Sequence, residues 1–239
     1  MEGRSGFRNP ICGRSVGITM RDIVFLVADG EMQATVEGFF ENPAFDTRLQ
    51  CSRFEFDTKQ DLIKHPRKDP GVYQDGHNLL KSYIATHNYA VVMIDFAFND
   101  NLQTMDYQQF CEKIKANMRA AGWPDDRFFV MAINPELEVL MWQADTSRIE
   151  HIFGYPIDLG AGTLRTWLQE RDLWDVEALK PADPKGAIDV VRGQNWGRKK
   201  THYQLFKRIS KEVSFRGCED EVFNSLLQQI QAWYPRVYG

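Results

Sequence analysis

The chain has 239 residues, a length that suits one large domain or one domain with an appended part. Hydrophobic residues make up 43% and charged residues 26%, as is typical of a soluble globular protein. The four cysteines form no CxxC pair, which argues against a cysteine-based zinc site. No apolar run approaches the roughly 20 residues of a membrane helix, and no signal peptide is evident. We therefore expect a cytoplasmic protein with reduced thiols and no membrane partner.

Charge is unevenly distributed along the chain. The formal net charge is -4, yet basic residues clearly outnumber acidic ones over residues 180–216. A basic segment with neighbouring aromatic residues favours nucleic-acid binding, because cations neutralise phosphates and aromatic rings stack on bases. The alternative is a solvated helical face. The predicted nucleic-acid contacts are Arg198, Lys199, Lys200 and Tyr203.

The sequence of the first part of the chain predicts a flexible arm followed by strands and helices. Residues 1–19 contain several Gly, Arg and Ser residues without periodicity, which indicates a flexible arm. The apolar run 23–27 predicts a buried strand, and the spacing within 32–40 predicts a helix. Alternating polarity over 50–56 predicts a second strand. Pro and Gly in residues 65–71 predict a structured loop rather than a helix.

The middle of the chain predicts two further helix–strand pairs. A helix over 78–86 leads into a strand over 89–94, and an amphipathic helix over 107–121 leads into a strand over 128–133. This order indicates an α/β fold with a mostly parallel sheet and flanking helices. From Leu137 onward the pattern is helical. The predicted organisation is a flexible arm over 1–19, an α/β domain over 20–145 and an all-helical C-terminal domain over 146–239.

Acidic residues follow three of the predicted buried strands. Glu31 follows the first, Asp95 ends another, and Glu136 and Glu138 follow the strand over 128–133. In open α/β sheets the carboxyl ends of the strands line a common crevice. Carboxylates gathered there repel one another unless a cation or a shared proton neutralises them. We therefore predict a Mg²⁺ site, with Mn²⁺ as a substitute, whose ligands are these four residues.

Each acidic residue also has a structural interpretation. Glu31 suits the first turn of a helix, where the macrodipole favours a carboxylate. Asp95 suits the N-cap of a following element. Glu136 and Glu138 share a face only in an extended segment, so in a helix one would face the crevice while the other pairs with a cation.

His65 is a further candidate catalytic residue. It lies near Asp69 in a Pro-bounded loop that would fold over the strand ends, where it would contact phosphate. A lone histidine is more often a surface or packing residue, and the pairing with Asp69 adds only modest support to a functional role. The sequence lacks a P-loop, a dinucleotide fingerprint, a nucleophile elbow and an HExxH motif. These absences argue against a nucleotide-driven motor, a Rossmann dehydrogenase, an α/β hydrolase and a zincin.

Two segments resemble motifs of the TOPRIM-like superfamily of metal-dependent nucleases. Val27-Ala-Asp-Gly-Glu31 resembles its glutamate motif, and Val91-Val-Met-Ile-Asp95 resembles its aspartate motif. The chain after Met20 also resembles an accessory family of bacterial methylation-associated anti-phage defence systems. The segments that carry this resemblance are Arg21-Asp-Ile-Val-Phe-Leu-Val-Ala-Asp29, His65-Pro-Arg-Lys-Asp-Pro-Gly71, Asn134-Pro-Glu-Leu-Glu138 with Trp142, Lys180-Pro-Ala-Asp-Pro-Lys185, Cys218 with Asp220, and Trp233-Tyr-Pro235.

The resemblance implies a TOPRIM-like fold and a role in anti-phage defence, with two alternative activities. The first is a Mg²⁺-dependent nuclease in which Glu31, Asp95 and His65 are catalytic. The second is a catalytically degenerate module that binds nucleic acid or partner proteins of the defence system. Active TOPRIM domains carry Asp-x-Asp where this chain has Asp95-Phe96-Ala97, so an expected metal carboxylate is missing. That departure favours the second activity, whereas the acidic cluster argues against a purely structural role.

Overall fold

The computed structural model describes residues 20–97, 105–142, 146–156, 162–194, 196–197 and 200–237. Within them the protein has an α/β fold with flanking helices, which confirms the predicted α/β class and parallel sheet. One all-parallel sheet has the strand order β2-β1-β3-β4. The strands are β1 (Arg21–Val27), β2 (Leu62–Lys64), β3 (His87–Asp95) and β4 (Phe128–Ile133).

Capping residues mark ends of helices in the first part of the chain. The Asp29 carboxylate caps the first helix by accepting the Met32 N–H at 2.9 Å. Asp106 and Gln109 form a capping box at the start of the fourth helix, which ends at Gly122 with φ of 103°. These helices are α1 (Gly30–Phe40), α2 (Phe45–Leu49), α3 (Lys68–Lys81) and α4 (Tyr107–Ala121).

The described C-terminal part contains helices joined by turns and irregular segments and has no strand, in agreement with the predicted helical pattern. Thr and Asp caps recur here, since Thr163, Asp183, Thr201 and Asp220 each accept a backbone N–H in a first turn. The helices are α5 (Glu138–Trp142), α6 (Thr146–Phe153), α7 (Leu164–Gln169), α8 (Pro184–Gly193), α9 (His202–Glu212) and α10 (Glu221–Trp233). No described helix has the length and apolar content needed to cross a membrane.

The predicted strand over 50–56 is wrong. The second strand is β2, and the earlier segment runs irregularly beside the sheet. Its alternating aromatic residues pack against side chains: the Phe54 ring stacks on Tyr234 at 4.3 Å between centroids, and the Phe56 ring stacks on Phe40 at 4.2 Å. The alternating polarity therefore reflects the burial of the aromatic rings. Burial of every second residue gives a period-2 pattern even where the segment does not pair with a strand.

The predicted loop over 65–71 is also wrong in its second half. Helix α3 begins at Lys68 and includes both Pro70 and Gly71. Proline is tolerated there because the first turn of a helix has no internal acceptor for its N–H groups. Only residues 78–81 of the predicted helix over 78–86 belong to this longer helix, and residues 82–86 form turns that lead into β3.

The C-terminal helices pack directly on the α/β part. Helix α9 lies along α1, and α10 packs against β4 and α2. The buried apolar side chains of both parts form one continuous cluster. The carboxyl ends of β1, β3 and β4 point to one edge of this arrangement, where the predicted acidic residues lie.

Candidate functional site

Helix N-termini gather at the carboxyl edge of the sheet, and each carries an acidic residue. Glu31 lies in the first turn of α1, Asp69 in the first turn of α3, and Glu138 begins α5. The partial positive charge at a helix N-terminus stabilises a carboxylate in each of these positions. The acidic crevice is defined here as the region formed by Asp29, Glu31, Asp69, Asp95, Glu136 and Glu138.

Asp95 lies at the centre of the acidic crevice. Its backbone N–H donates to Oδ1 of Asp69 at 3.1 Å. Its own Oδ1 is buried and has no hydrogen-bond partner among the described residues. Burial first, and then repulsion from Asp69, Glu138, Asp29 and Glu136, raises the pKa of the Asp95 carboxyl well above its ordinary value. The structure thus places Asp95 among the other acidic groups, in an environment that disfavours its charged form.

Glu136 and Glu138 have different surroundings although they are two residues apart. Glu138 is buried, and burial together with repulsion from Glu136 raises its pKa to about 7. Burial raises the pKa of Glu136 as well, and the nearby Lys185 at the start of α8 opposes that rise. One glutamate is therefore enclosed in the acidic crevice, and the other lies near the start of α8.

Lys185 supplies positive charge to the acidic crevice, and the sequence did not single it out as a site residue. Its partial burial lowers the pKa of the ammonium, but the carboxylates of Glu138, Glu136, Glu31 and Asp95 outweigh burial and raise the pKa. These four are the predicted metal ligands. Two features of the sequence could have indicated Lys185. It belongs to the basic segment over 180–216, and it ends a segment that carries the family resemblance.

Asp69, rather than His65, connects the 65–71 segment to the acidic crevice. His65 is buried, its Nδ1 accepts the Arg67 N–H at 3.1 Å, and its Nε2 lies 2.9 Å from Oδ1 of Asp75. Both ring nitrogens of His65 therefore contact groups of the same segment and of helix α3. In this conformation His65 has no free nitrogen for the predicted phosphate contact.

The predicted nucleic-acid contacts are only partly within the described residues. Arg198 and Lys199 lie outside them. The Lys200 ammonium donates to the carbonyl oxygen of Ile152 at 2.9 Å. The Tyr203 hydroxyl donates to a carboxylate oxygen of Glu37 on α1. These last two predicted contact residues therefore hold parts of the fold together.

The donor chemistry of the acidic crevice suits a hard divalent ion, and the unpartnered Asp95 Oδ1 is a plausible ligand atom. However, the described part of the chain contains no group of three or more His, Cys, Asp or Glu side chains arranged to hold a metal. The predicted set of Glu31, Asp95, Glu136 and Glu138 therefore does not form a ready-made metal centre there.

The acidic crevice can accept a cation or a proton at Asp95, and the Lys185 ammonium at its edge can contact an anionic group. It therefore combines several carboxylates and one ammonium in the same region of the molecule. Comparisons with protein-family models, curated proteins and solved structures found no match to this chain. Function is accordingly inferred from the acidic crevice and from the sequence motifs around it.

Proposed function

We propose that this chain is a cytoplasmic component of a bacterial anti-phage defence system. Its α/β part is a TOPRIM-like module in catalytically reduced form, which binds nucleic acid or partner proteins of the system without cutting phosphodiester bonds. The observation that supports this best is the gathering of acidic residues around Lys185 without a three-carboxylate metal group in the described residues. The segment Asp95-Phe96-Ala97 supports it too, because a second metal carboxylate is missing there.

The second candidate is a Mg²⁺-dependent nuclease, and one observation favours it. The buried Oδ1 of Asp95 lacks a hydrogen-bond partner among the described residues, and such an atom is costly unless a ligand, an ion or a proton completes it. In that case Asp95 and Glu31 would be the residues on which cleavage depends. A nuclease also needs a positioned water and charge stabilisation at the scissile phosphate.

A cleavage assay separates the two candidates. Plasmid DNA, single-stranded DNA and RNA are incubated with Mg²⁺ or Mn²⁺ and with the wild type, Glu31→Ala or Asp95→Ala. We expect no turnover by the wild type, because the described carboxylates do not form a metal centre. The matched control is Glu177→Ala, which removes an exposed carboxylate in the C-terminal part.

Turnover by the wild type and by Glu177→Ala that disappears in both crevice variants would establish the nuclease instead. Turnover that persists in all four proteins would indicate a contaminating enzyme. The affinity of the wild type for the same nucleic acids is then measured in EDTA at several salt concentrations, to test whether nucleic acid is the partner of the module. An affinity that falls steeply with salt indicates that nucleic acid is the partner, whereas no affinity at low salt means that the basic segment is a solvated face or a protein-binding surface.

A further inference from the structure

A pocket that contains two arginines lies between α10, the ends of α1 and α2, and the segment that follows α9. This arginine pocket has a volume of about 230 Å³, and it is defined here by Phe39, Arg48, Phe215, Arg216, Asn224 and Gln231. The pocket is preformed, because side-chain amides hold its walls in place. The Gln231 amide donates to the Leu49 carbonyl oxygen at 2.8 Å. The Asn224 amide donates to the Cys218 carbonyl oxygen at 2.9 Å.

Arg48 is a half-buried cation whose recorded contacts within the described residues are all with neutral groups. Its guanidinium donates to the Ser210 carbonyl oxygen at 2.9 Å and to the Val213 carbonyl oxygen, and its Cζ lies 4.7 Å from the centre of the Phe39 ring. Burial lowers the pKa of Arg48, with no carboxylate to oppose that effect. Removing a charge from water is costly unless an opposite charge compensates it. An anion in the arginine pocket would supply that charge.

Arg216 supplies a second cation on the exposed side of the arginine pocket. No acidic side chain of the described residues lines this pocket. The Asp46 carboxylate of α2 pairs with Arg53 instead. The Glu212 carboxylate of α9 likewise pairs with Arg208. Two guanidinium groups in such surroundings favour a carboxylate or phosphate ligand, which they bind through charge-assisted hydrogen bonds.

The aromatic rings of the arginine pocket border an apolar cavity in the core. The apolar cavity has a volume of about 50 Å³, and it is defined here by Phe25, Val36, Met93, Met131, Leu226 and Ile230. Both spaces are lined by Phe39, Phe215, Phe223 and Leu227, so they adjoin each other. An apolar cavity that binds benzene has about 150 Å³. The smaller volume here suits a short alkyl chain rather than a ring.

We propose that the arginine pocket binds a small amphipathic anion, whose carboxylate or phosphate group lies between Arg48 and Arg216 and whose short alkyl chain enters the apolar cavity. The proposal goes beyond the function proposed for the acidic crevice and does not depend on it, because neither space is lined by a residue of that crevice. Arg48 belongs to the α/β part and Arg216 to the helical part. A bound anion would therefore hold the two parts of the chain together.

The first test measures the binding of a series of ligands to the full chain by ligand-detected NMR titration. The anions are butanoate, hexanoate, octanoate and hexyl phosphate, and 1-hexanol and hexylamine are the neutral and cationic counterparts of hexanoate. We expect hexanoate to bind about 15-fold more tightly than butanoate, because it buries two more methylenes. Octanoate should gain little more, because the apolar cavity is then full. The alcohol should bind about tenfold more weakly than hexanoate, and the amine should not bind.

The second test removes the exposed cation. Arg216→Gln should bind hexanoate about tenfold more weakly than the wild type, because the carboxylate loses a charge-assisted hydrogen bond. The decrease of its affinity with salt should also become shallower. The matched control is Arg236→Gln, which removes an exposed arginine outside the arginine pocket and should bind as the wild type does.

A labelling measurement on the wild type does not depend on the folding of a variant. Arginines are modified with phenylglyoxal, and the rates are followed by mass spectrometry. Saturating hexanoate should slow the modification of Arg216, because the bound carboxylate covers its guanidinium, and should leave Arg236 unchanged.

The proposal is overturned if 1-hexanol binds as tightly as hexanoate, or if butanoate, hexanoate and octanoate bind equally. It is likewise overturned if Arg216→Gln keeps the affinity of the wild type, or if neither hexanoate nor hexyl phosphate slows the labelling of Arg216. Binding of either anion with the expected chain-length dependence supports it, and the tighter of hexanoate and hexyl phosphate identifies the head group.

Discussion

Asp61 and Asp95 are both enclosed carboxylates, and their surroundings have opposite effects. Asp61 is fully buried at the amino ends of β1 and β3, where its carboxylate accepts hydrogen bonds from Arg21, the Asp57 N–H and the His87 ring. Burial raises its pKa, but these donors outweigh burial and lower it to about 2. Asp95 has an unpartnered oxygen and acidic neighbours, so its pKa rises. The contrast separates a structural carboxylate from a candidate functional one.

Asp61 should make the stability of the protein depend on pH on the acid side. Its pKa is about 2 in the folded state and 3.8 in the reference state, so its stabilisation is present above pH 3.8 and is lost as the pH falls towards 2. This difference corresponds to about 2 kcal/mol. Urea unfolding from pH 7 to pH 2 should show Asp61→Asn to be less stable near pH 7 and to lose less stability on acidification. The exposed variant Glu177→Gln should follow the wild-type curve, and an unchanged pH dependence in Asp61→Asn would contradict the prediction.

At the scale of elements, the contact between α1 and α9 joins the two parts of the chain. Gly38 faces α9 so closely that an added Cβ would overlap the Lys207 carbonyl oxygen and the Ser210 hydroxyl. The Lys207 ammonium lies 3.0 Å from a Glu37 oxygen and 2.6 Å from a Glu41 oxygen. Cations of the basic segment therefore pair with carboxylates in the last turn of α1 and just after it, which accounts for part of the uneven charge of the sequence.

Gly38→Ala should destabilise the protein, although alanine is the better helix former. The overlap with α9 should cost about 1 to 3 kcal/mol, which exceeds the gain in helix propensity of about 1 kcal/mol. The control is Gly193→Ala, since a Cβ on this glycine near the end of α8 meets nothing within 4 Å. Chemical denaturation should show a lower midpoint for Gly38→Ala only. Equal midpoints in the two variants would mean that α9 does not pack on α1 in this way.

At the scale of the whole molecule, the helical part completes the core of the α/β part. The Trp233 ring of α10 stacks on Tyr89 of β3 at 4.5 Å between centroids, and its indole N–H donates to the Asp126 carbonyl oxygen at 2.8 Å. Burial of large apolar side chains is the main stabilising contribution in folding. The apolar side chains that α9 and α10 bury are Leu205, Phe206, Ile209, Phe223, Leu226, Ile230 and Trp233.

The predicted boundary near residue 146 should therefore not mark an independently folding unit. A fragment of residues 20–145 would expose the faces of α1 and β4 that α9 and α10 cover. We expect it to bind a hydrophobic dye and to melt without a cooperative transition. Residues 20–239, which lack only the predicted arm, serve as the control and should melt cooperatively. A sharp transition for the 20–145 fragment would contradict the prediction.

The sequence by itself determined the type of fold and the end of the sheet that carries acidic groups. Buried strands such as β1 and β3 have continuous apolar runs, and the C-terminal helices have helical periodicity with caps, so both follow from local patterns. Parallel strands place their carboxyl ends at one edge, which explains why Glu31 and Asp95 could be assigned to one region. The strand β2 has only three residues, too few to produce such a pattern. The aromatic segment over 50–56 has the alternation that is typical of a strand, so the sequence predicted the second strand there.

Only the tertiary structure decided which charged and polar side chains lie near one another. Lys185 and Asp95 are far apart in sequence, and their proximity depends on the packing of α8 beside α5. The occupied nitrogens of His65 and the use of Tyr203 to hold α1 likewise depend on which elements meet. Hydrophobic periodicity is a property of neighbouring residues, whereas electrostatic interaction depends on distances and burial that the folded chain alone establishes.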